Sequence, residues 1–180
     1  MHTLKQRRGA SGFTMLEVLI SIVVIAFGLL GVAGLQAFAL KNNQSASQRS
    51  VATVLATDMI DRMKANSKAA TDGFYNETSG TGVTPASVPG CLAASGCASP
   101  QELAANDLFE WKALVAAALP NGVGIVCLDD FIPDGATTGP TDPKCSNTGN
   151  QLVVYIWWRD DRTRSNTTAT VSRFATQFQI

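Results

Sequence analysis

The chain has 180 residues, of which 46% are hydrophobic and 16% are charged, and its 14 basic and 14 acidic side chains cancel. This length is typical of one folded domain with one additional segment. The first 12 residues hold three of the basic side chains and no acidic one, so the remaining chain has a net charge of −3. Such a chain lacks the basic surface that nucleic-acid binding requires, and we expect no nucleic-acid partner.

The N-terminal junction has an unusual order of features. A short basic segment ends at Gly12-Phe13, and a long apolar run follows that contains a single carboxylate, Glu17. A secretory signal has the opposite order, because its cleavage site follows its apolar core. A charge inside a membrane span costs on the order of 2.5–3.5 kcal/mol on insertion scales, so such residues usually have a partner and a function.

This junction, Gly12-Phe13-Thr14-Met15-Leu16-Glu17 after a basic segment, resembles the leader of type IV prepilins. The resemblance implies that prepilin peptidase cleaves between Gly12 and Phe13 and that the new terminal Phe13 is N-methylated. We expect Glu17 to act as an assembly carboxylate that neutralises the terminal amine of a neighbouring subunit, since a paired buried charge is much less costly than a lone one. The alternative is a plain signal anchor in which Glu17 has no function.

Residues 13–40 are predicted to form a transmembrane and filament-core helix. From residue 18 to residue 35 only Ser21 is polar, and about 20 residues at a rise of 1.5 Å cross a hydrocarbon core of about 30 Å. The basic residues precede the span, which predicts a cytoplasmic N-terminus and an exported C-terminal part. Gly28, Gly31 and Gly34 favour either close helix packing in the membrane or local unwinding of the helix in a filament.

The helix is predicted to continue as an amphipathic segment over residues 41–66. Its apolar residues fall within half a turn of a helical wheel: Val51, Ala52, Leu55, Ala56, Met59, Ile60 and Met63. Asp58 and Arg62 have the i, i+4 spacing of a helical ion pair. The apolar stripe needs a partner surface, which the rest of the chain can supply.

Residues 67–180 are predicted to form an α+β head domain exported to the periplasm. Residues 67–99 are rich in Ser, Gly and Pro and indicate a loop with little core of its own. Pro100 opens a second helix with an apolar face at Leu108, Trp111, Leu114, Val115 and Leu119, and Asn106 or Asp107 is a candidate N-cap. Residues 122–128, 152–158 and 168–180 have strand patterns and predict a small antiparallel sheet.

All four cysteines lie in the exported part, where an even number indicates disulfides. Four cysteines allow three connectivities, and we favour the local pairing Cys91–Cys97 and Cys127–Cys145. Zinc is the competing interpretation, but no two cysteines have C-x₂-C spacing and the single histidine, His2, lies in the leader. We therefore expect no metal.

Neither calcium binding nor catalysis has a strong signal. The acidic loop of residues 129–144 contains Asp129, Asp130, Asp134 and Asp142, but its spacing differs from that of an EF-hand, so we expect solvated turn residues. The sequence after residue 12 has no histidine, no G-x-S-x-G motif and no phosphate-binding glycine loop. We expect a non-enzymatic protein without a cofactor.

Over nearly its full length the chain resembles PilV, the family of type IV pilus modification proteins, which are minor pilins. The segments that carry the resemblance downstream of the leader are residues 44–46, 58–66, 109–112, 124–127 and 157–159. The family implies a type IV pilin-like α+β fold and a low-abundance subunit that primes pilus assembly at the tip. It also implies an inner-membrane anchor, incorporation into the extracellular pilus, and contacts with other minor pilins, the major pilin, prepilin peptidase, the inner-membrane assembly platform and a tip adhesin.

Two other functions stay open. A minor pseudopilin of a type II secretion system would have the same leader and helix, although the long, disulfide-bearing head favours a pilus subunit. A membrane-anchored periplasmic enzyme is the third possibility, but it would need a nucleophile or cofactor signature that the sequence does not offer.

Overall fold

The computed structural model describes residues 12–77, 86–93, 95–130, 139–141, 143–159 and 171–179. The chain divides into two compact units, Met1–Gln44 and Ser45–Ile180. The first helix, α1 (Met15–Ala65), contributes residues to both units. The second unit also contains two further α-helices, a short 3₁₀ helix and three strands.

The first unit consists of the N-terminal half of α1. Its large apolar side chains are all exposed, from Met15 to Leu40. A helix that is apolar all round satisfies its backbone internally and needs an apolar environment for its side chains. Phe13 and Thr14 precede the helix, which therefore begins two residues later than the predicted start.

In the second unit, the C-terminal half of α1 buries one face, and the predicted amphipathic stripe is confirmed. Ala52, Ala56, Met59 and Met63 are fully buried, and their partly buried neighbours Val51, Leu55 and Ile60 pack against the same core. The short helix α2 (Ser67–Thr71) follows α1 directly and buries Ala69 and Ala70. Tyr75 is also fully buried. The prediction that residues 67–99 have little core of their own is therefore wrong for the first nine of them.

Helix α3 (Pro100–Ala118) packs on the same core. Its buried residues Leu108, Trp111 and Val115 confirm the predicted apolar face, with Leu119 just beyond the helix. Leu114 was predicted to share that face but is 46% exposed, because it lies at the border of the stripe on a helical wheel.

The N-cap of α3 differs from the predicted one. The hydroxyl oxygen of Ser99 accepts a hydrogen bond from the Glu102 N–H at 3.2 Å, and a Glu102 carboxylate oxygen accepts one from the Ala98 N–H at 2.9 Å. Asn106 and Asp107 are buried inside the helix, so the prediction that one of them caps it is wrong. Proline at the first helical position fixes the start directly after Ser99.

The sheet has three antiparallel strands, β1 (Val123–Leu128), β2 (Gln151–Arg159) and β3 (Val171–Gln179), with β2 in the centre. Tyr155 is opposite Ile125 on one side and Ala175 on the other. Residues 152–158 of β2 are all buried, which explains the unbroken apolar run, because both faces of the sheet are covered. One face, with Val154 and Ile156, joins the core formed by the helices.

Candidate functional site

The predicted cleavage site lies outside helix α1. Gly12, Phe13 and Thr14 have no regular secondary structure, all three are exposed, and the Phe13 side chain is 84% exposed. Apart from its chain neighbours, no atom of the described residues lies within 4 Å of the point where a Cβ at Gly12 would be. The Gly12–Phe13 peptide bond is therefore sterically accessible.

The first turn of helix α1 is held by hydrogen bonds at Thr14 and Glu17. The hydroxyl oxygen of Thr14 accepts a hydrogen bond from the Glu17 N–H at 3.3 Å, and the hydroxyl of Ser21 donates one to the Glu17 carbonyl at 2.7 Å. Glu17 itself is exposed. Within the described part of the chain, no salt bridge involves its carboxylate, and a carboxylate in the first turn is favoured by the helix dipole.

By its length and composition, the helix that follows is long enough and apolar enough to cross a membrane. Apart from the helix's own backbone, no atom of the residues that the structure describes lies within 4 Å of a Cβ placed at Gly28, Gly31 or Gly34. Among those residues, no contact requires a small side chain at these positions. Both interpretations of the glycines, close packing against another helix and local unwinding, stay predictions.

In the second unit, Arg62 is the centre of an ion-pair cluster that joins α1 to α3. Its guanidinium lies 3.1 Å from Asp58, 3.3 Å from Asp107 and 3.1 Å from Glu110, so the predicted pair between Asp58 and Arg62 is confirmed. Burial works against the charge of Arg62, but its carboxylate partners outweigh this and raise its pKa. The hydrogen bond from Arg62 lowers the pKa of Glu110.

A buried polar chain continues from this cluster. The Tyr75 hydroxyl donates to Asp107 at 2.6 Å, and the Asn66 amide donates to the Tyr75 oxygen at 3.2 Å and to the Pro100 carbonyl at 2.8 Å. Burial, together with the Asp107 carboxylate, raises the pKa of the Tyr75 phenol. The phenol thus stays protonated as a donor, and the end of α1 is fixed to the start of α3.

Trp111 joins α1, α3 and β1. Its side chain is fully buried, and its indole N–H donates to the Leu55 carbonyl at 2.8 Å. A Cβ at Gly124 would lie 2.5 Å from two carbons of the Trp111 ring. Glycine at this position therefore allows the indole to lie directly against the backbone of β1.

Asn76 and Glu77 form hydrogen bonds with the outer edge of β1, through both backbone and side-chain atoms. The Glu77 N–H donates to the Val126 carbonyl, and a Glu77 carboxylate oxygen accepts from the Val126 N–H, each at 2.9 Å. The Asn76 carbonyl oxygen accepts from the Leu128 N–H at 2.9 Å. Lys112 forms a buried salt bridge with Glu77. Burial raises the pKa of Glu77, and Lys112 offsets this only in part. These contacts protect an exposed sheet edge from unwanted pairing.

Two disulfides are present, Cys91–Cys97 and Cys127–Cys145. This connectivity is the local pairing favoured from the sequence. Cys127 is fully buried on the second face of the sheet, next to Val153 and Tyr155. The second bond connects β1 to the segment that leads to β2.

The acidic loop is only partly described, because Asp134 and Asp142 lie outside the described residues. Asp129 is buried and accepts a hydrogen bond from the Tyr155 hydroxyl at 2.7 Å, so the expectation of a solvated turn residue is wrong there. Asp130 is exposed and accepts from the Thr148 hydroxyl at 2.9 Å. No group of three or more metal-binding side chains occurs in the described part of the chain.

Comparison with protein families matches residues 34–109 to the type IV pilin Tt1218, or Tt1218-like, family, and residues 7–33 to the prokaryotic N-terminal methylation motif. Residues 34–109 are therefore similar to a type IV pilin domain. The long N-terminal helix, the small antiparallel sheet and the shorter helix confirm the predicted α+β fold, and this arrangement is consistent with the fold of type IV pilins. Pilins are structural subunits, and the methylation motif with the apolar N-terminal helix fits a membrane-anchored pilin. Searches of curated proteins and of solved structures found no match.

Sequence reasoning predicted the α+β fold of the second unit but missed the polar contacts within it. It assigned no role to Asn66, Tyr75, Glu77 or Lys112, each of which pairs with a residue distant in the sequence. Such pairs leave no periodic signal. The one indication of a buried ion pair in the sequence was Lys112. This charged residue lies in the middle of the predicted helix, directly after Trp111 of the apolar face.

Proposed function

We propose that this protein is a minor pilin of a type IV pilus, similar to the PilV family, with no enzymatic activity. The observation that carries the proposal is the combination of an exposed Gly12–Phe13 junction, a wholly exposed apolar helix and a compact head in one chain. A helix of this kind is stable in a bilayer or in a bundle of similar helices, and pilus assembly exchanges the first environment for the second.

Processing is the first step of the proposed function. Prepilin peptidase hydrolyses the bond between Gly12 and Phe13, which removes the basic leader and keeps the apolar helix in the protein. A methyl group is then transferred from a sulfonium donor to the Phe13 nitrogen, which loses a proton. Before processing, the protein spans the inner membrane once, with its N-terminus in the cytoplasm and its head in the periplasm.

In the proposed assembly, Glu17 sets the position of each subunit along the filament axis relative to its neighbour. Cleavage leaves a positive amine at Phe13, and the carboxylate of Glu17 lies one helical turn further along. In a bundle of such helices, Glu17 neutralises the Phe13 amine of a neighbouring subunit, because two unpaired charges in an apolar environment are costly. The exposure of Glu17, and the absence of any salt bridge to it in the described part of the chain, support this role.

The proposed partners are other minor pilins, the major pilin, the inner-membrane assembly platform and a tip adhesin. A minor pseudopilin of a type II secretion system is the second candidate, since it would have the same leader and helix. The two disulfides persist in the periplasm as well as outside the cell, so the long head that carries them, rather than the bonds alone, favours the pilus subunit.

Mass spectrometry of sheared pili tests the proposal. Pili from cells that express the tagged protein should contain it in small amounts, together with other minor pilins. A matched strain in which Gly12 is replaced by a bulky residue should retain the leader and lose the protein from its pili. Recovery of the protein only with secretion-system components, and never in pili, would favour the pseudopilin instead.

A further inference from the structure

The start of helix α1 has a fixed position relative to the predicted cleavage site. The helix begins at Met15, so Gly12, Phe13 and Thr14 lie outside it and are exposed. Residues 7–33 independently match the N-terminal methylation motif, which is a motif of processed termini. Phe13 and Thr14 thus separate the proposed scissile bond from Met15, the first residue of the helix.

Thr14 determines where the helix starts. Its carbonyl accepts the first helical hydrogen bonds, from the Glu17 N–H at 3.1 Å and from the Val18 N–H at 3.3 Å. Its hydroxyl oxygen also accepts from the Glu17 N–H, at 3.3 Å. Threonine followed three residues later by glutamate is the spacing of a capping box. Here the Glu17 N–H is shared between the carbonyl and the hydroxyl oxygen of Thr14.

We propose that Thr14 is a positioning residue for leader cleavage, because it holds the start of α1 downstream of the Gly12–Phe13 bond. This inference rests on the proposed processing of the chain. In the cleavage step, water adds its hydroxyl to the Gly12 carbonyl carbon and its proton to the Phe13 nitrogen as the bond between them breaks. The products are a Gly12 carboxylate and a Phe13 ammonium.

The physical reason is access to the backbone. A protease acts on an exposed, non-helical segment, and a bond inside a helix must first unfold locally. Without the Thr14 hydroxyl, the helix start at Met15 loses its cap, and helix starts further upstream become more populated relative to it. The Gly12–Phe13 bond then lies within the first turn, and only the unwound fraction of the chain is a substrate.

Three substitutions at one position test the role of the hydroxyl. Thr14→Val has nearly the same shape without a capping oxygen, whereas Thr14→Ser and Thr14→Asp keep one. The full-length proteins are incubated in detergent with purified prepilin peptidase, and initial rates of leader loss are measured by mass spectrometry. We expect Thr14→Val to be cleaved about fivefold more slowly, the population shift that corresponds to the loss of a typical N-cap. The serine and aspartate variants should be cleaved at close to the wild-type rate.

A second variant separates helix positioning from direct contact with the peptidase. Proline is favoured at the first position of a helix and prevents the helix from extending upstream. Met15→Pro added to Thr14→Val should therefore restore cleavage, and Met15→Pro alone should be cleaved like the wild type. If the peptidase instead binds the Thr14 hydroxyl, the proline does not restore the rate.

The outcomes distinguish this inference from the function on which it rests. Slow cleavage of Thr14→Val with rescue by proline supports the inference. Equal rates for Thr14→Val and the wild type overturn it while leaving the proposed processing intact, and so does slow cleavage that proline does not restore. A wild-type protein that is not cut after Gly12 overturns the proposed processing itself.

Discussion

Removing the Cys127–Cys145 disulfide should destabilise the head more than removing the Cys91–Cys97 disulfide. The bonded cysteines are 18 residues apart in the first case and 6 in the second. In the chain-entropy model, a bond across the longer span contributes about 3 kcal/mol to the free energy of unfolding, and one across the shorter span contributes about 2 kcal/mol.

The surroundings of the cysteines increase the difference. Cys127 is fully buried beside Ile125, Val153 and Tyr155, whereas Cys91 is only half-buried and lies in a short 3₁₀ helix, Pro89–Leu92. Serine in place of Cys127 would place a hydroxyl without a partner in this apolar cluster, which costs about 1–3 kcal/mol more. The Cys127→Ser/Cys145→Ser variant should therefore lose about 4–6 kcal/mol and the Cys91→Ser/Cys97→Ser variant about 2 kcal/mol.

Urea unfolding of a head domain that starts near residue 42 measures both losses. All three tryptophans, Trp111, Trp157 and Trp158, are buried in the head, so their fluorescence reports its unfolding. The oxidised wild type should lose stability in reductant and should not respond to chelators. Equal losses in the two variants, or a larger loss from the Cys91–Cys97 pair, would refute the reasoning. Peptide mapping that joins Cys97 to Cys127 would contradict the pairing itself.

Three further substitutions have defined outcomes. Glu17→Ala should still be cleaved and inserted but should be scarce in pili by immunoblot, and normal abundance would count against its pairing with the Phe13 amine. Gly124→Ala places a methyl group 2.5 Å from the Trp111 ring and should lower the free energy of unfolding by about 1–3 kcal/mol. The control is Gly139→Ala, which should not lower it, because no atom of the described residues lies within 4 Å of a Cβ there. Because Arg62 lowers the pKa of Glu110 below its usual 4.5, that carboxylate stabilises the head above this pH and loses its contribution as the pH falls through the folded pKa. Glu110→Gln should reduce the loss of stability measured between about pH 5 and pH 3 by about 0.2–1 kcal/mol. An unchanged dependence of stability on acid pH would argue against this pair.

The sequence predicted those parts of the fold that repeat with a regular period. The stripe of Ala52, Ala56, Met59 and Met63 recurs at helical spacing because one face of α1 is buried. The run over residues 152–158 predicted a central strand, because residues buried on both faces of a sheet are apolar without alternation. The basic segment before residue 13 and the carboxylate of Glu17 suggested a function because charges next to an apolar run are rare, and that function stays a prediction.

The sequence did not predict which polar residues pair across the fold. Asp107 was a plausible cap by residue type, but its carboxylate pairs with Tyr75 and Arg62 instead. Glu77 and Lys112 are 35 positions apart, and only the folded chain brings them to the edge of β1. Partners this distant depend on tertiary packing, which overrides local preference and leaves no local pattern.

The most direct test of the account is the mass of the mature protein. Intact-mass and N-terminal peptide analysis of the protein from purified pili should give a chain that begins at Phe13, with one added methyl group and with the apolar helix retained. The same analysis of a peptidase-deficient strain should give the full leader and a protein confined to the membrane. A pilus-associated protein that still begins at Met1, or one cut after Leu40 so that the helix is lost, would contradict the account.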